Sequence, residues 1–137
     1  NFCQDNHSKS SKGVLRGMHY QLAPYAQGKL VRCTRGNIFD VAIDLRKSSN
    51  TYKEWISVEL NNMNKNILWI PEGFAHGYLV LSDFANVVYL QSGKYNSETD
   101  FSINPESINF EWPKKNYLLS EKDKNAVSLD NYITKFH

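Results

Sequence analysis

Two short stretches place imidazoles in segments that otherwise read as strands. In GVLRGMHYQ, Gly13 to Gln21, Arg16 and His19 interrupt an alternating run. In PEGFAHG, Pro71 to Gly77, a second histidine, His76, closes the stretch. An imidazole titrating near neutrality can take and return protons or bind an anion. A guanidinium such as Arg16 grips phosphate oxygens with its planar fork. Taken singly, each candidate also has an ordinary structural explanation. A strand histidine can be a hydrogen-bonding core residue. Asp40 and Asp44 fit the solvated face of a strand, and Lys29 and Arg16 fit surface charges. Tyr89 fits a strand aromatic, and Asp123 a carboxylate on a helix surface.

The spacing of PEGFAHG matches the second cupin motif, PxGxxH. Cupins often combine that histidine with an HxH pair and a glutamate to hold a metal. Here the first-motif position reads His19-Tyr20-Gln21, and no glutamate follows at the right distance. Two histidines fall short of the three or four protein ligands of a catalytic metal site. The expectation is therefore no metal, with both imidazoles left for proton chemistry or anion binding.

The elements that must position these groups read as short strands joined by turns. GVLRGMHYQ, KLVRCTRG, NIFDVAIDLR, EWISVEL, NILWIP, HGYLVLSD and NVVYLQSG follow one another with turn residues between them. In NIFDVAIDLR, Phe39, Val41, Ile43 and Leu45 share one face, and Asp40, Ala42 and Asp44 the other. After Trp112-Pro113 the pattern changes, and Ser120 is placed to cap a short helix. Regular short strands predict an all-β fold, a jelly roll with a short C-terminal helical segment. At 137 residues and 41% hydrophobic, the chain is sized for one domain with a real core. A net charge of +2 with scattered basic residues argues against nucleic acid as a partner. No apolar run approaches the ~18–20 residues of a membrane span. Cys3 and Cys33 lack a CxxC partner, so reduced thiols in a cytoplasmic protein are expected. NFCQDNHS, which opens the chain without an initiator Met, reads as the interior of a domain.

Four separated stretches, in order, carry a resemblance. FCQDNHSKSSKGVLRGMHYQ, QGKLVRCTRGNIFDVAIDLRKSS, LWIPEGFAHGYLVLSD and LLSEKDKNA resemble the dTDP-4-dehydrorhamnose 3,5-epimerase family from Phe2 to about Leu129. The resemblance implies a cupin-type jelly roll, a homodimer and no cofactor. It reads residues 1–137 as a single epimerase domain lacking N-terminal strands that family members carry before this point. The implied substrate is dTDP-4-keto-6-deoxy-glucose, inverted at C3 and C5 on either side of the C4 ketone. Such chemistry requires a base, a cation or donor at the C4 oxygen, and an acid on the opposite face.

By the resemblance, His19 matches the base and Asp123 the carboxylate that orients it. Lys29 matches the cation at the C4 oxygen, and Tyr89 the opposing acid. Arg16 and His76 match substrate-binding positions, with Arg16 at the diphosphate. Gln4, Asn6 and Lys122 match further nucleotide-sugar contacts, and Asp40 a residue supporting the histidines. The chain departs from the family in YLQSGKY, where Lys94 occupies the usual base-stacking position and Tyr95 stands beside it. Either Tyr95 holds the thymine or another nucleotide is used. C3-only epimerisation and a nucleotide-sugar-binding cupin without turnover are the alternatives. Strict alternation conflicts with the shared site, because it sends Arg16 and His19 to opposite faces. A bulge at Gly17, splayed strand ends or a reach into a second subunit would each reconcile them.

Overall fold

The structure, a computed structural model, describes residues 1–136. Its strands are β1 (Gln4–Ser11), β2 (Val14–Gln21), β3 (Lys29–Arg35), β4 (Asn37–Asp44), β5 (Trp55–Asn61), β6 (Ile67–Ile70), β7 (Phe74–Val80), β8 (Phe84–Gln91), β9 (Asp100–Ser102) and β10 (Leu118–Leu119). One sheet runs β1-β8-β3-β6, and the other β10-β2-β7-β4-β5 with β9 also on β2. Two facing antiparallel sheets of this kind make the jelly roll expected from the alternation.

Each sheet turns one face to the other. Val31 and Cys33 of β3, Ala85 and Val87 of β8 and Ile70 of β6 meet Ile38 and Ala42 of β4, Leu60 of β5 and Tyr78 and Val80 of β7. A second apolar layer lies on the far side of the six-stranded sheet. There Leu15, Met18 and Tyr20 of β2, Val41 and Ile43 of β4, and Leu79 of β7 pack against Ile103, Ile108, Trp112, Leu129 and Tyr132 from the C-terminal segment. The sheet is thus buried on both faces, as apolar layers on each side require. This corrects the solvated-face reading of β4: Asp40 is 0% and Asp44 1% exposed. Asp44 is held there by hydrogen bonds from Arg46, Ser49 and Thr51.

Ser120 caps the helix α1 (Glu121–Lys124), its hydroxyl accepting from the Asp123 backbone N–H. A 3₁₀ turn at Pro105–Ser107 precedes it, and the indole of Trp112 donates to the Pro105 carbonyl at 3.0 Å. Cys3 is exposed, Cys33 is buried, and both are free thiols. Among the described residues no helix is long and apolar enough to cross a membrane.

Candidate active site

A polar cleft of about 110 Å³ opens between the sheets, lined by Ser8, Arg16, His19, Lys29, His76, Gly77, Tyr78 and Tyr89. The four-stranded sheet supplies Ser8, Lys29 and Tyr89, and the six-stranded sheet supplies Arg16, His19 and His76.

Arg16 and His19 share this cleft because β2 slips register between them. Arg16 pairs with Tyr78 and His19 with His76, so Gly17 and Met18 stand opposite the single residue Gly77. Two residues against one is a β-bulge, and it inverts the alternation beyond it. Gly17 adopts φ +121°, and a Cβ there would lie 2.6 Å from the Gly77 Cα. A Cβ on Gly77 would meet the Arg16 carbonyl oxygen at 2.5 Å. The bulge therefore requires glycine on both strands. One subunit brings both side chains to one place.

His19 donates from Nε2 to Asp123 Oδ1 at 2.8 Å. Asp123 also accepts from the Ser102 hydroxyl at 2.8 Å and the Gly17 backbone N–H at 3.2 Å. An ionised carboxylate only accepts, so the Nε2–H tautomer leaves Nδ1 of His19 as the free base. Burial opposes ionisation of Asp123, but the His19, Ser102 and Gly17 bonds outweigh it and hold its carboxyl below the usual range. His19 is partly open to the cleft, whereas Asp123 is buried behind it.

His76 forms the second imidazole–carboxylate pair. Its Nε2 lies 2.9 Å from both carboxylate oxygens of Asp40, and both side chains are buried. Burial pushes the Asp40 carboxyl up, opposed by His76 and then by Lys29. Lys29 is itself buried, which corrects its reading as a surface charge. Burial lowers its ammonium from the ordinary 10.5 to about 8, and Asp100 and Asp40 resist that fall. Burial pushes the Tyr89 phenol up; Tyr78 adds to this, and Arg16 opposes it. Arg16 donates from Nε to the Ser10 hydroxyl at 3.0 Å, which steadies the guanidinium at the cleft.

Gln4 and Asn6 lie on β1, on the same face as Ser8, and extend the polar wall. Asn6 stands directly across from Tyr89, and Gln4 across from Gln91. Lys122 lies on α1 beside Asp123, and its ammonium donates to Asp100 at 2.6 Å, whose charge acts on Lys29 and Tyr89. Lys94 and Tyr95 are exposed, and the Tyr95 backbone N–H donates to Gln4 Oε1 at 3.0 Å. Ser102, Asp100, Gln27 and Gln91 escaped the sequence reading; no motif spacing marks them, and register alone brings them here.

The sequence model of the dTDP-4-dehydrorhamnose 3,5-epimerase family matches residues 1–131. The dTDP-4-dehydrorhamnose 3,5-epimerase of Shigella flexneri is 60% identical, with 96% of this chain and 76% of the relative covered. A dTDP-6-deoxy-D-glucose-3,5-epimerase from Legionella pneumophila, solved with dTDP-4-keto-L-rhamnose, superposes with TM-score 0.91 at 45% identity, covering 96% of this chain and 71% of that one. A 3'-monoepimerase from Streptomyces bikiniensis, solved with dTDP-quinovose, gives TM-score 0.88 at 34% identity, covering 94% and 67%. With a family match across nearly the whole chain and a relative at this identity, the chain belongs to the dTDP-4-dehydrorhamnose 3,5-epimerase family.

Proposed function

We propose that the protein inverts C3 and C5 of dTDP-4-dehydro-6-deoxyglucose, giving dTDP-4-dehydro-L-rhamnose. The observation that carries this reading is one cleft with a paired imidazole, a buried ammonium and a phenol contributed by two facing sheets. A proton on carbon beside a ketone leaves only when the enolate is stabilised. Nδ1 of His19 takes that proton, and Asp123 stabilises the imidazolium that forms. Lys29 meets the charge developing on the C4 oxygen. Tyr89 returns a proton to the opposite face, which converts exchange into inversion. Arg16 takes the diphosphate, and the His76–Asp40 pair holds the sugar.

The test is incubation with the substrate in D2O, followed by NMR of the ring positions. Deuterium at both C3 and C5 with inverted configuration is expected. Label at C3 alone would make the protein a C3 epimerase, and no label would make it a binding protein without turnover.

A homodimer is part of the same proposal. The outer face of the four-stranded sheet exposes Ile67 and Trp69, next to a hollow of about 190 Å³ lined by Leu30, Arg32, Ile67, Val88 and Leu90. An apolar face of this kind suits a second copy. Sedimentation should give a dimer, and Trp69→Glu should shift it towards monomer.

A further inference from the structure

Four side-chain amides run in series behind the cleft wall. Gln27 donates from Nε2 to the Gly93 carbonyl at 2.9 Å. Gln91 donates from Nε2 to Gln27 Oε1 at 2.9 Å. Asn6 donates from Nδ2 to Gln91 Oε1 at 2.8 Å, and Gln4 from Nε2 to Asn6 Oδ1 at 3.1 Å. The Tyr95 backbone N–H closes the series on Gln4 Oε1 at 3.0 Å.

An isolated amide can turn over and exchange its donor and acceptor ends. These cannot, because a backbone carbonyl fixes one end of the series and a backbone N–H the other. A carbonyl only accepts and an N–H only donates. Turning any one amide would set N–H against N–H on one side and oxygen against oxygen on the other. Gln27 and Gln91 are buried, so such a mismatch would have no water to relieve it.

The polarity reaches the cleft at Asn6, which lies across from Tyr89. The carbonyl oxygens of Asn6 and Gln4 are each engaged by the neighbouring donor. Each amide nitrogen has two N–H bonds and uses one of them in the series. The remaining N–H groups make this edge of the cleft a donor surface, complementary to oxygen acceptors.

We propose that Gln91, backed by Gln27, is a positioning residue that locks the Asn6 amide with its N–H towards an oxygen of the substrate. This rests on the proposed epimerase reading for the identity of the substrate. The acceptor is either a sugar oxygen or a phosphate oxygen of the nucleotide sugar. Gln91 acts through Asn6, and that dependence is what separates it from a packing residue.

The test is a double-mutant cycle on the whole chain, read as KM and kcat of epimerisation. Gln91→Met keeps the length and removes both links. It is expected to raise KM about tenfold, the scale of one hydrogen bond at a desolvated site, with kcat within about threefold. Asn6→Ala is expected to raise KM by about the same factor. The double variant should then be no worse than Asn6→Ala alone, since both changes remove one interaction. Gln27→Met, one link further away, should act in the same direction by about threefold. It serves as the test variant if Gln91→Met does not fold.

Binding of dTDP alone identifies the oxygen. Weakening parallel to KM assigns a phosphate oxygen, and unchanged dTDP affinity assigns a sugar oxygen. Multiplying effects in the double variant, about a hundredfold together, would overturn the proposal. So would an unchanged KM in folded Gln91→Met. If the wild-type chain exchanges no substrate proton, the epimerase reading fails by itself. The relay is then read from the Asn6 side-chain NH2 signals in NMR. They should show one slowly exchanging proton in wild type and none in Gln91→Met, and equal exchange in both would sink it.

Discussion

In the proposed reaction Lys29 must be charged to stabilise the enolate, yet burial brings its ammonium down to about 8. With that value, about nine-tenths of the protein carries the charge at pH 7 and about one-tenth at pH 9. The rate of exchange should therefore fall about tenfold per pH unit above 8. The assay uses substrate deuterated at C3 and follows loss of label to water across pH 6–10. Asp40→Asn supplies the control. Asp40 raises the Lys29 value, so removing its charge should move the alkaline limb to lower pH. The same shift has a stability consequence. The unfolded chain keeps the lysine proton to about 10.5, whereas the folded chain releases it near 8. Between those values the unfolded state binds more protons, so stability rises with pH. At neutral pH the buried cation is a burden, and Lys29→Met should gain about 1–3 kcal/mol of stability while losing exchange. A flat rate profile up to pH 10, or a melting temperature that falls in Lys29→Met, would refute the reasoning.

Three further outcomes are expected. Tyr89→Phe should still exchange solvent deuterium, because His19 can return a proton to the face it came from, while inversion falls by at least ~100-fold; equal, small changes in both would make Tyr89 a packing aromatic. Asp123→Asn keeps the shape and removes the charge opposite His19, so kcat should drop at least about tenfold with dTDP affinity nearly unchanged; unaltered kcat would detach Asp123 from the reaction. Gly77→Ala should destabilise the fold by about 1–3 kcal/mol through overpacking against Arg16 and Met18, and weaken dTDP binding by displacing Arg16; unchanged melting and affinity would show that the bulge tolerates a side chain.

Most strands were legible because their residues alternate, as in NIFDVAIDLR. β1 was not, for a physical reason: its sequence, QDNHSKSS, carries no large apolar residue. Its inward face lines a polar cleft, so the periodicity that marks a buried face is absent. Alternation sorted Asp40 onto one face of β4, with Ile38 and Ala42, but its burial follows from the four-stranded sheet packing over that face. Gly17 was visible as the place where a bulge would reconcile Arg16 with His19. Its pairing with Gly77, which decides the matter, is a contact between strands distant in sequence. Ser102 and Gln91 have no local signature at all.

The placement of the ionisable groups follows from the packing that surrounds them. The apolar layer between the sheets is built from Val31, Cys33, Ala85 and Val87 on one side and Ile38, Ala42 and Val80 on the other. Along the same faces of β3, β8 and β7 this layer gives way to Lys29, Tyr89 and His76, while Asp40 sits on β4 between Ile38 and Ala42. Alternate positions on a strand share a face, so the site is the continuation of the core by polar residues at one end of the sandwich. A buried charge there is tolerated only if it is paired. His76 answers Asp40, and the His19, Ser102 and Gly17 donors answer Asp123. At Lys29 burial outweighs the pull of Asp100 and Asp40, which brings its ammonium down to about 8. A cation held in that state gains most when negative charge arrives beside it, as it does on the oxygen of an enolate. In the proposed reaction, the energetic imbalance at Lys29 would favour the transition state over the ground state.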